Sequence, residues 1–93
     1  MLRVFKYSVE IGNSDDQFEV ELPRSAQILT VDLQGSEIKL WALVDPKRTM
    51  IKRRFRLAGT GHPIEEDMEN LKYINTFLVH EGAVVVHVFE VLN

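Results

Sequence analysis

The sequence predicts an all-β fold, a single-domain β-sandwich or small barrel of about seven strands with at most one short helix. Three observations carry that expectation. Apolar and polar residues alternate with period two along most of the chain, the pattern of strands with one buried face. Clusters of Gly, Pro, Asn and Asp punctuate those runs every ~8–12 residues, as in all-β domains. The chain has 93 residues, of which 45% are hydrophobic and 27% charged, so one domain over residues 1–93 accounts for it.

Phe5, Tyr7, Val9 and Ile11 alternate with Lys6, Ser8 and Glu10. Residues 12–16 (Gly-Asn-Ser-Asp-Asp) supply turn chemistry, because Gly and Asn tolerate positive φ and Asp bonds its own backbone. Phe18, Val20 and Leu22 then alternate with Gln17, Glu19 and Glu21, so the two runs read as a first hairpin ended by Pro23, which cannot donate to a ladder. A third strand over residues 27–34 places Leu29, Val31 and Leu33 on one face. After a turn at residues 35–37, a fourth over 38–45 sets Ile38, Leu40, Ala42 and Val44 against Trp41 and Leu43. A fifth, over 50–58, places Ile51, Arg53, Phe55 and Leu57 on one side and Lys52, Arg54 and Arg56 on the other.

The stretch Gly59-Thr60-Gly61-His62-Pro63 breaks the alternation. A short helix or acidic loop over residues 64–71 follows, since proline and acids suit a first helical turn. Two last strands, over 73–80 and 83–91, are joined tightly at Glu81-Gly82 as a hairpin. The final run is apolar on both faces, which suits a central or interface strand. With a second strand, 38–45, apolar on both sides, a homo-oligomer is expected to cover some of this surface.

A net charge of −3 gives no reason to expect nucleic acid or an anionic membrane. The absence of cysteine excludes disulfides, thiolate metal sites and a cysteine nucleophile. No apolar run reaches the ~20 residues of a membrane helix, and the charged, alternating start is not a signal peptide. The three histidines, His62, His80 and His87, lack metal-ligand spacing, and no nucleophile motif is present. No cofactor, metal or catalytic residue is therefore expected. His80 and His87 flank the last turn, close enough in sequence to approach one another.

The chief anomaly is charge. Lys47, Arg48, Lys52, Arg53, Arg54 and Arg56 are six of eleven basic residues, all within ten positions. Lys52, Arg54 and Arg56 project the same way about 7 Å apart, where repulsion needs relief from an anion, an acid or solvent. Two readings follow. Either Arg54 and Arg56 bind phosphate or carboxylate, with the N–H groups of Gly59 and Gly61, Thr60 and His62 assisting and Trp41 stacking a flat ligand. Or the strand is a charged edge, or pairs with Glu65–Glu69 or with Glu19 and Glu21, while the glycines only make a turn and Trp41 packs under a loop or a subunit. The loop lacks the spacing of the standard nucleotide motifs.

The runs Ile28–Val31, Leu40-Trp41-Ala42-Leu43-Val44-Asp45-Pro46, residues 55–63 (ending Gly59-Thr60-Gly61-His62-Pro63), Tyr73–Phe77 and Val86-His87-Val88-Phe89-Glu90 together resemble a family of small uncharacterised bacteriophage proteins. The resemblance spans most of the chain and brings no activity with it. It implies a phage origin and the cytoplasm of an infected bacterial host. On that footing the expected function is an oligomeric, non-enzymatic accessory protein. It captures an anionic small molecule, such as a nucleotide immune signal, as a counter-defence factor. The alternative is a protein–protein module that inhibits a host protein or serves as a minor virion component. A phosphodiesterase using His62 as acid or base is a third reading.

Overall fold

The computed structural model describes residues 1–10 and 16–92. Seven strands form two antiparallel sheets packed face to face. Strands β1 (Arg3–Ser8), β3 (Gln27–Gln34) and β4 (Glu37–Val44) make the smaller sheet, in the order β1-β4-β3. Strands β2 (Gln17–Pro23), β5 (Met50–Gly59), β6 (Leu71–Val79) and β7 (Val84–Val91) make the larger, in the order β2-β5-β7-β6. The all-β sandwich is therefore the fold. Edge strands β3 and β6 lie against each other, tied by a bond from Asn75 Nδ2 to the Val31 carbonyl at 3.1 Å. Edge strands β1 and β2 fall at the opposite side.

The core comes from the inward sets of the alternation. Phe18, Leu22, Val31, Leu40, Phe55 and Val88 are buried between the sheets, with Phe18 stacked on Phe55 at 4.9 Å. Burying each such side chain contributes about 1.5–3 kcal/mol. Ala42 and Val44 are buried too, so β4 points its expected face inward and leaves Trp41 and Leu43 half-buried outside. Strand β7 lies between β5 and β6, with Val86, Val88 and Glu90 turned to the core and Val85, His87 and Phe89 half-buried on the outer face, Phe89 against the Tyr73 ring.

Two expectations are corrected and two open alternatives are narrowed. First, β1 and β2 do not pair. β1 pairs with β4, and β2 with β5, so the chain crosses from one sheet to the other between them. Alternation fixes which face is buried, not which strand is the neighbour, so the hairpin did not follow from it. Most of the turn at 12–16 lies outside the described residues. Second, a bulge between Ile28 and Thr30 shifts β3 by one residue. Ile28 then packs on the core and Leu29 is left 45% exposed. Third, residues 64–71 hold no α-helix, only one 3₁₀ turn at Met68–Asn70. Fourth, β5 is an interior strand, not an edge.

One inward pair is charged. Arg53 Nε and Nη2 hold both oxygens of buried Glu90 at 2.6 and 2.8 Å, and Nη1 donates to the Ala26 carbonyl. This clamp joins β5, β7 and the β2–β3 turn, and it satisfies an arginine that the alternation had placed among apolar residues.

Candidate functional site

The anion site read from the sequence spreads over the molecule. Lys52, Arg54 and Arg56 do share the outer face of the larger sheet, but acids stand across the ladder: Glu21 opposite Lys52 and Glu19 opposite Arg54. Opposite charges in directly paired positions relieve the repulsion within the strand. Arg56 is held by Glu66 in a two-pronged pair, Nε to Oε1 at 3.0 Å and Nη2 to Oε2 at 2.8 Å, and Gln17 Nε2 donates to the same carboxylate at 2.7 Å. Both side chains are largely covered, with 11% and 14% of their surface accessible. The bond to Arg56 holds the Glu66 carboxyl below its ordinary range, against the opposing effect of burial, and the bond to Glu66 raises Arg56 in turn. Trp41 sits on the outer face of the other sheet, between Lys6 and Thr30 in register.

Residues 59–62 form one turn. His62 N–H donates to the Gly59 carbonyl at 3.0 Å, and Gly61 takes φ +86° at the third position, where a type II turn needs glycine. The turn folds the His62 imidazole back over Gly59. A Cβ built on Gly59 would lie 2.9 Å from both Cε1 and Nδ1 of that ring. The two glycines therefore serve different ends. Gly61 shapes the turn, and Gly59 makes room for the histidine. Thr60 turns outward. Its Oγ1 lies 2.8 Å from His87 Nε2, His87 Nδ1 lies 3.0 Å from Thr76 Oγ1, and that oxygen lies 2.7 Å from the Tyr73 hydroxyl. His87 therefore meets Thr60 and Thr76, while His80 sits in the β6–β7 turn.

Gly59 and His62 stand at a cleft of about 720 Å³ at one end of the sandwich, between the β3–β4 turn, the end of β5 and the β6–β7 hairpin. Leu33, Ile38, Leu57, Val79 and Val86 give it apolar walls, and Asp16, His62, His80 and Glu81 supply polar groups. Its size lies within the ~300–1,000 Å³ usual for small-molecule sites. Among the predicted site residues only Gly59 and His62 line it; Trp41, Arg54, Arg56, Thr60 and Gly61 do not. The wall residues escape a sequence reading because inward apolar positions on separate strands look like core until the topology leaves a gap between them. The one legible signal was the glycine pair beside a histidine.

Among the described residues no three His, Asp or Glu side chains are grouped to hold a metal, and no helix is long and apolar enough to cross a membrane. No curated protein and no solved structure matches the chain. The family described as Domain of unknown function (DUF7352) matches residues 1–93, its whole length, and the chain belongs to that family.

Proposed function

We propose that the protein is a non-enzymatic binding module that takes a small, largely apolar molecule into the cleft at the end of the sandwich, with its polar end at His62. One observation carries this reading. Leu33, Ile38, Leu57, Val79 and Val86 line a ligand-sized space at the end of the sandwich, whereas native interiors leave few voids larger than a water molecule. Asp16 and Glu81 beside the cleft disfavour a phosphate there, and Arg56 is taken up by Glu66. Capture of an anionic nucleotide would instead centre on the outer face of β5 around Arg54. A counter-defence role in phage infection is supported by the sequence resemblance alone.

Titration with the neutral fluorescent probe N-phenyl-1-naphthylamine tests the reading, with a panel of cyclic dinucleotides in parallel. Saturable binding of the probe is expected, weakened at least ~10-fold by Val86→Phe, which fills the cleft and leaves the strand intact, because a filled site excludes the probe. Equal affinity in the filled variant would sink it. Dinucleotide binding lost on Arg54→Ala would move the site to β5.

A further inference from the structure

The open side of the sandwich carries a second feature, independent of the cleft. Among the described residues β1 and β2 are edge strands with no neighbour on their outer side. The two edges differ in charge: β1 carries Arg3 and Lys6, β2 carries Glu19 and Glu21. β1 also has its aromatic residues in an unusual place. Phe5 and Tyr7 stand opposite Ala42 and Leu40, both fully buried, so they face inward, yet Phe5 is 38% exposed. An inward aromatic is left exposed because no described strand continues the sheet beyond β1.

We infer that this side is an interface with a second copy of the chain, in which β1 of each copy extends the larger sheet of the other by pairing with its β2. The directions fit. β1 ends at Ser8 beside the Ile38 end of β4, and β2 begins at Gln17 beside the Leu57 end of β5, and Ile38 and Leu57 line the same cleft. The two edges therefore run in opposite senses. A two-fold axis along the strands preserves those senses, so β1 meets β2 of the second copy antiparallel, twice, and both sheets become continuous. Setting Phe5 opposite Val20 places Tyr7 opposite Phe18 and Lys6 opposite Glu19, with inward residues facing inward throughout. The other two-fold pairing, β1 with β1 and β2 with β2, sets cations against cations and acids against acids, which is destabilising.

Sedimentation velocity of the full chain at micromolar concentration is expected to show a dimer. Lys6→Glu and Glu19→Lys alone should each shift it to monomer, and mixing the two variants should restore a dimer of unlike chains, since in that pair both β1–β2 contacts again set opposite charges together; the double variant K6E/E19K should dimerise by itself for the same reason. The cysteine-free chain allows a direct test of register: Lys6→Cys mixed with Glu19→Cys under mild oxidation is expected to give a disulfide between unlike chains only. A wild-type monomer, absence of that cross-link, or Lys6→Cys chains linking to themselves equally well would overturn the inference. None of these outcomes bears on probe binding in the cleft.

Discussion

Glu66 shows how much one carboxylate accomplishes here. It closes the outer face of β5 by neutralising Arg56 and accepting from Gln17, joining the acidic loop to two strands. Its carboxyl is held below the ordinary 4.5 by the bond to Arg56. The folded state therefore binds that proton less readily than the unfolded chain. The stabilisation is fully present above the unfolded value and is lost as pH falls through the lower, folded one. Urea unfolding of Glu66→Gln at neutral pH should show a loss of up to about 1.5–3 kcal/mol, the range for a hydrogen bond to a charged group. The difference from wild type should shrink as the solution is acidified toward pH ~3. A constant difference would mean that Glu66 acts by shape, not charge. The pairing of the basic strand with nearby acids is one of three explanations open in the sequence, beside an anion site and a charged edge. Its choice of Glu66 from the run Glu65–Glu69 was not legible, because the irregular loop sets no periodicity for its side chains.

Elements were legible where alternation was strict. β2, β4 and β5 bury the residues their pattern singles out, and the β6–β7 hairpin forms where a tight link was expected. β3 departs from its pattern at Leu29 because a bulge adds a residue without marking the sequence. The turn at residues 59–62 was recognisable from its glycines, though not what they do. Gly61→Ala, at φ +86°, should destabilise by about 1 kcal/mol through backbone strain alone, measured by the same urea unfolding. Gly59→Ala acts differently. Its methyl group would occupy the place of the His62 ring, so the imidazole must leave the cleft wall. The His62 NMR resonances should shift strongly in Gly59→Ala and little in a His80→Ala control; unshifted His62 signals would show that the ring does not rest there.

At the scale of the whole molecule, alternation specifies two opposed faces per strand but not the order of strands. The sheet that holds β1 and the cleft at the sandwich end both depend on that order. Partner choice is decided by contacts distant in sequence, and the inward Arg53 is a case in point: its partner Glu90 lies 37 residues away, and only the β5–β7 ladder brings them together. The hairpin that walls the cleft is shaped by its own backbone as well. His80, Glu81 and Gly82 follow one another with φ of 52°, 57° and 88°, so two side-chain-bearing residues occupy the left-handed region that asparagine and glycine fill at lower cost. Such residues cost of order 1 kcal/mol or more each. Ser25, at φ 66°, is the other such residue among those described, and it precedes Ala26, whose carbonyl Arg53 holds; the hairpin tip lies outside that clamp. The tip should then open by sub-global fluctuation ahead of the core strands, and amide exchange at Gly82 and Ala83, which donate to the Val79 and His80 carbonyls, should run ahead of that in β5. Replacing His80-Glu81 with Asn-Gly should slow that exchange and, on the proposed binding of the naphthylamine probe in the cleft, slow the probe's release as well, because the hairpin's own backbone then no longer stores the strain that favours opening.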